Sequence, residues 1–179
     1  KDIVLTGFNN DTERNIAKMY YNDGNGRFSL VTNSYSFEGA TGGTIAFADF
    51  DGDNQKEILI TGENNAIQTV TRKYEKDDEG NYRMSKSTNS PFPGVSGELL
   101  FADIDGDNDL DVIQNGDRVP QAPDVLEVYR NEGNGVYSLI SNPVLKPLLG
   151  ASVAMRDFDG DNDLDLWITG LVKGSGGQT

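Results

Sequence analysis

Carboxylates crowd three short stretches of this chain at a fixed spacing. The stretches read Asp49-Phe50-Asp51-Gly52-Asp53-Asn54-Gln55-Lys56-Glu57, Asp103-Ile104-Asp105-Gly106-Asp107-Asn108-Asp109-Leu110-Asp111 and Asp157-Phe158-Asp159-Gly160-Asp161-Asn162-Asp163-Leu164-Asp165, and their first residues are 54 apart both times. Carboxylates at positions 1, 3, 5 and 9 of a nine-residue loop converge hard oxygen atoms on one point. Ca²⁺ takes six to eight such oxygens in a tolerant geometry. Asp-Gly pairs also make ordinary hairpin turns, but a turn needs one Asp and one Gly. It does not need four or five carboxylates that repel one another unless a cation sits among them. An EF-hand would place Gly at position 6 and Glu at position 12 between helices. Here Gly is at position 4, and position 12 is Ile60, Gln114 or Ile168.

The loops hold 14 of the 29 acidic residues, against 15 Lys+Arg and a net charge of −14. Three bound Ca²⁺ would bring −14 to −8, so much of the acidity is site chemistry. No basic cluster exists to neutralise phosphates, which argues against a nucleic-acid partner. The chain has no Cys and no His. Disulfides, Cys/His zinc sites and Ser-His or Cys-His nucleophiles are therefore excluded. No apolar run reaches the length of a membrane-spanning helix. The first residue is Lys, not Met, and no signal peptide opens the chain, so we expect a mature or excised segment.

The elements around the loops repeat with them. A strand is expected before each loop, over 44–48, 98–102 and 152–156. An apolar strand ending in Gly follows each loop, as in Ile58-Leu59-Ile60-Thr61-Gly62, Val112-Ile113-Gln114-Asn115-Gly116 and Leu166-Trp167-Ile168-Thr169-Gly170, and Ile3-Val4-Leu5-Thr6-Gly7 supplies a fourth copy. Next comes a hairpin whose turn is Gly-rich, as in Asp23-Gly24-Asn25-Gly26 and Glu132-Gly133-Asn134-Gly135, where Gly and Asn supply positive φ. No segment carries a helical period with caps. Four strands recurring every 54 residues mark an all-β chain of four-stranded antiparallel blades, a β-propeller fragment. The expected division is a partial blade over 1–38 (strands two to four), blades over 39–92 and 93–146, and a partial blade over 147–179 (strands one and two), 13 strands in all. Asp2 aligns with loop position 9, inside a fourth loop. The equivalent residues Phe47, Phe101 and Met155 are expected to be buried, as are Ile58, Val112 and Leu166. Trp167, the repeat mate of Leu59 and Ile113, is expected in the core between blades.

The runs Phe47-Ala48-Asp49-Phe50-Asp51-Gly52-Asp53 and Phe101-Ala102-Asp103-Ile104-Asp105-Gly106-Asp107, with the Gly-Asn-Gly-x-aromatic hairpins, resemble FG-GAP/VCBS repeats. That family builds the Ca²⁺-binding propellers of integrin α-subunit heads, some lectins and many bacterial surface proteins. The resemblance implies three Ca²⁺ sites. Side-chain ligands would be Asp49, Asp51, Asp53 and Glu57, then Asp103, Asp105, Asp107 and Asp111, then Asp157, Asp159, Asp161 and Asp165. Gln55, Asp109 and Asp163 would each give a backbone carbonyl. It also implies an extracellular module, secreted or at the cell surface, that adheres to or recognises a glycan or protein.

An enzyme is the rival class, either a polysaccharide lyase or a glycosidase built on the propeller. Glycoside hydrolysis needs two carboxylates at fixed separation. Outside the loops Glu63, Glu98, Asp117, Asp124 and Glu127 are available, but no pairing stands out, and we expect no catalysis. A purely scaffolding role is the third reading. Bare blade faces are expected to be covered by further blades of the same polypeptide or by another copy of the chain.

Overall fold

A computed structural model describes residues 2–32, 37–85, 92–119, 122–140 and 144–172. The described residues are all-β, an array of antiparallel sheets with the architecture of a β-propeller fragment. The first sheet is β1 (Ile3–Asn9), β2 (Arg14–Asn22) and β3 (Phe28–Leu30). The second holds β4 (Ala40–Thr41), β5 (Ile45–Ala48), β6 (Glu57–Asn64), β7 (Thr69–Lys76) and β8 (Tyr82–Met84). The third runs β9 (Ser96–Ala102), β10 (Asp111–Arg118), β11 (Ala122–Asn131), β12 (Tyr137–Ile140), and the fourth pairs β13 (Leu149–Arg156) with β14 (Asp165–Leu171).

The described strands number 14, not 13, because the strand before the first loop is split. Thr41 pairs with Glu63 and Ile45 with Ile60, so one extra residue is accommodated between them. Gly42 there takes a φ of 68°, in the left-handed region that favours glycine. A Cβ on neighbouring Gly43 would stand 2.1 Å from the Thr61 carbonyl oxygen, so only glycine allows this approach. The other two strands begin earlier than expected, at Ser96 and Leu149. The tail 173–179, read as lacking a third strand, lies outside the described residues.

Sheets pack face to face, which explains why the strands after the loops are apolar at consecutive positions. Successive side chains of a strand point to opposite faces. Ile58 and Ile60 face back to the first sheet, in a core with Met19, Phe37, Ala40 and Tyr74. Leu59 faces forward, in a core with Phe50, Phe92, Val95, Val112 and Tyr129. Both faces of β6 are thus buried. Phe37 meets Tyr74 edge-on at 4.7 Å, and Phe92 meets Tyr129 in the same way at 5.2 Å one repeat later.

The register places the repeat mates identically. Phe47 pairs with Ile58, Phe101 with Val112 and Met155 with Leu166. Their burial differs. Ile58 and Val112 are fully buried, whereas Leu166, Phe101 and Met155 are half-buried. Phe47 is 46% exposed, contrary to expectation. Phe101 stacks on Phe50 of the preceding loop at 4.7 Å, whereas Phe47 borders an open cavity with Asp2, Tyr21 and Tyr82. Trp167 also departs from expectation. It is 59% exposed, although Leu59 and Ile113 at the same register are buried.

Candidate metal centres in the acidic loops

Each acidic loop connects the strand before it to the strand after it, and all three adopt one backbone path. Gly52, Gly106 and Gly160 at position 4 have φ values of 77°, 81° and 84°. Asn54, Asn108 and Asn162 at position 6 follow with 67°, 73° and 74°. Gly carries no Cβ to clash there, and Asn is among the few side chains that tolerate the left-handed region. The Gly-x-Asn spacing is present in the sequence of all three loops, and its Asn is the second left-handed position of each turn.

The position-1 carboxylate organises the turn. Asp49 accepts from Gly52 N (2.8 Å), Asp53 N (3.2 Å) and Asn54 N (2.9 Å). Asp103 accepts from Gly106, Asp107 and Asn108 at 2.7, 3.1 and 3.0 Å. Asp157 accepts from Gly160 (2.6 Å) and Asn162 (3.1 Å). The position-9 carboxylate closes the loop on the position-2 amide. Phe50 N donates to Glu57 at 2.7 Å, Ile104 N to Asp111 at 2.8 Å and Phe158 N to Asp165 at 2.9 Å. Asp111 also accepts from Asn131 N across the sheet at 2.8 Å. Asp2 accepts from Asn22 N at 3.0 Å, the matching bond in the first sheet, as its alignment with position 9 anticipated.

This folding brings carboxylates together. One oxygen from each of Asp49, Asp51 and Asp53 lies within 4.8 Å of the others, and the same holds for Asp103, Asp105 and Asp111, and for Asp157, Asp159 and Asp165. These three groups could hold metal ions. The position-5 residues Asp107 and Asp161 cap the position-7 amides of Asp109 (2.9 Å) and Asp163 (3.1 Å), as Asp53 caps Gln55 (2.7 Å). Glu57 is 3% exposed and stands outside the first group of three.

The electrostatics run against leaving these oxygens alone. Burial and the neighbouring Asp107 and Asp111 raise the Asp105 carboxyl above the ordinary carboxylate range. Asp163 is raised first by Asp161, then by burial. Glu57 is raised by burial, with Asp51 adding to it and the Phe50 amide opposing it. Asp51 Oδ1 is buried with no hydrogen-bond partner, an orphaned acceptor inside the first loop. Oxygen-only donors that converge, with Asp51 Oδ1 left without a partner, suit a hard cation such as Ca²⁺. The first loop has one internal cation nearby: Lys73 Nζ lies 3.3 Å from Asp51 and 2.6 Å from Glu75.

The next sheet supports the loop from outside. Tyr137 Oη donates toward the Phe50 and Leu110 carbonyls, both at 3.2 Å. Burial, then Asp111 and other loop carboxylates, push its hydroxyl far above the usual phenol range. A Cβ on Gly135 would stand 2.9 Å from Asp51 Cβ, so the Gly-Asn-Gly hairpin leaves room for the acidic loop of the preceding sheet.

These features define a class: repeated antiparallel sheets of a propeller, three of them carrying an acidic nine-residue loop. Residues 1–60 match the family described as FG-GAP-like repeat. No curated protein matches the chain significantly.

Replacing Asp105 should have effects of opposite sign with and without metal. In chelator, Asp105→Ala relieves carboxylate repulsion and should leave the melting temperature equal to or above that of the parent. In millimolar Ca²⁺ it removes a converging oxygen and should melt lower than the parent. Equal curves for the two proteins in Ca²⁺ would remove Asp105 from the ligand set.

Proposed function

We propose that this chain is a Ca²⁺-binding recognition module of a secreted or cell-surface protein, with structural ions in its three acidic loops. The observation that supports it best is the threefold recurrence of one loop geometry, each time converging three carboxylate oxygens. In this reading Asp49, Asp51, Asp53 and Glu57 hold the first ion with the Gln55 carbonyl. Asp103, Asp105, Asp107 and Asp111 hold the second with the Asp109 carbonyl. Asp157, Asp159, Asp161 and Asp165 hold the third with the Asp163 carbonyl. The bound ion supplies the positive charge that the clustered carboxylates lack. Asp49, Asp103 and Asp157 orient the turn, and Glu57, Asp111 and Asp165 tie each loop to the strand after it. Sites of this modest, exposed kind suit the millimolar Ca²⁺ outside cells.

The recognition surface in this reading lies at the Gly-rich strand ends. Ser96, Glu98, Asn115 and Asp117 line a cavity of about 420 Å³ there, between the second, third and fourth sheets. Its carboxylates, Glu98 and Asp117, suit the hydroxyls of a glycan or the polar groups of a protein ligand. Glu98 and Asp117 are also the observation that favours the enzyme reading, since both line one cavity. Glu127 is engaged elsewhere, by Arg118 and by the Tyr129 hydroxyl at 2.7 Å. A glycan array in Ca²⁺, followed by incubation of any binder with the protein, separates the two. Binding with the glycan recovered intact supports recognition. Cleavage abolished by Glu98→Gln establishes the enzyme instead.

A further inference from the structure

The three loops share a backbone path but not a charge. The second and third each carry five carboxylates, whereas the first carries four, with Gln55 at position 7 where the others have Asp109 and Asp163. Their converging oxygens differ as well. They come from positions 1, 3 and 9 in the second and third loops, and from positions 1, 3 and 5 in the first.

The first loop also has its own cation. Lys73, on β7, has a side chain that is 19% exposed, and its Nζ stands 3.3 Å from Asp51 and 2.6 Å from Glu75. Its stem borders a void of about 30 Å³ together with Phe50, Leu59 and Phe92, so apolar neighbours hold the ammonium beside Asp51. The repeat does not supply this charge elsewhere. Leu59 pairs with Lys73 as Ile113 pairs with Val128, so an apolar side chain stands at the same place in the third sheet. Arg130, two residues further along β11, pairs with Glu132 at 2.7 Å. Among the described residues, no ion pair reaches a carboxylate of the second or third loop.

We propose that Lys73 makes the first loop the weakest of the three calcium sites, so that two ions bind first and the third only at higher Ca²⁺. The inference rests on the Ca²⁺ reading of the loops and deepens it. Affinity in oxygen-ligand loops follows the charge and number of the ligands. In the second and third loops an entering ion meets carboxylates only and relieves their repulsion in full. In the first loop it meets an ammonium already paired with Asp51. The ion either displaces that ammonium, breaking its contact, or binds beside a like charge. Both cost affinity. The same charge has the opposite effect without metal, where Lys73 neutralises part of the first loop and the other two have no such counter-ion.

Equilibrium dialysis of ⁴⁵Ca²⁺ against the full 179-residue chain tests this. Two ions should bind in one class and the third about tenfold more weakly, the size expected of a charge pair between the exposed and the buried extremes. Lys73→Met keeps the apolar stem and should bring the third ion into the class of the first two. Lys73→Gln serves the same purpose should the Met variant lose its far-ultraviolet spectrum. Lys146→Met makes the same change of net charge at an exposed residue away from the loops and should leave the isotherm unchanged. Asp51→Asn should abolish the weak class and spare the other two ions. In chelator Lys73→Met should melt below the parent, yet gain more from Ca²⁺ than the parent does. A merely structural Lys73 would lower stability in both conditions and would not raise affinity. Three equal sites in the parent would overturn the proposal while leaving the Ca²⁺ reading intact. So would a third site that stays weak in folded Lys73→Met, or an equal gain in Lys146→Met. A folded chain that binds no calcium overturns the Ca²⁺ reading itself, and this inference with it.

Discussion

Chelating divalent ions from the folded chain should lower its melting temperature by tens of degrees, and millimolar Ca²⁺ should restore it. Ligand that binds only the native state adds RT ln(1 + [L]/Kd), about 2.7 kcal/mol per site at a hundredfold excess over Kd. Three such sites give about 8 kcal/mol, comparable with the whole stability of a small domain, about 5–15 kcal/mol. The unfolded chain separates its loop carboxylates and gains little from the ion, so nearly all of this difference appears as stability. Differential scanning calorimetry in Ca²⁺ and in chelator measures it. Coincident transitions would mean that the loops hold together without a cation.

Asp111→Ala should be the most damaging single carboxylate substitution, and damaging in both conditions. The Asp111 side chain is 1% exposed and accepts from two backbone amides, Ile104 N and Asn131 N, each at 2.8 Å. Each buried donor left unsatisfied costs about 1–3 kcal/mol, so for the two amides about 2–6 kcal/mol is lost even in chelator. In Ca²⁺ the loss of a converging oxygen adds to it. Asp111→Asn keeps an acceptor and should recover part of the chelator loss but little of the Ca²⁺ loss. Urea titrations of the three proteins would decide the matter. An Asp111→Ala midpoint close to the parent's in chelator would show that these two amides find other partners.

What could be read from the residues alone follows how local each determinant is. The loops were legible because their turn, their capping bonds and their converging oxygens all lie within nine residues. The equivalence of Phe47, Phe101 and Met155, and of Ile58, Val112 and Leu166, was legible because the repeat spaces them alike, and each set pairs at one register. Burial was legible only in part: Ile58 and Val112 are buried as expected, but the burial of Phe47 and Trp167 depends on the sheet stacked above. Trp167 and Leu59 occupy the same register, and among the described residues only Leu59 has a following sheet over it. Phe47 likewise lacks the neighbour that Phe50 provides for Phe101. The buried Gln114 stands where Ile60 and Ile168 stand in the other repeats, and it is held by a 2.8 Å bond to the Pro93 carbonyl that no periodicity announces. The split of the strand before the first loop depends on Gly42 and Gly43 meeting the Thr61 backbone, a contact between strands rather than a pattern within one.

The most direct test of the central claim is calorimetric titration of the metal-free chain with CaCl₂, with MgCl₂ as the parallel arm. Three Ca²⁺ should bind per chain, and Mg²⁺ should bind more weakly, because these acidic loops match its small octahedral shell poorly. No heat and no bound calcium at millimolar concentration, with the chain folded, would contradict it.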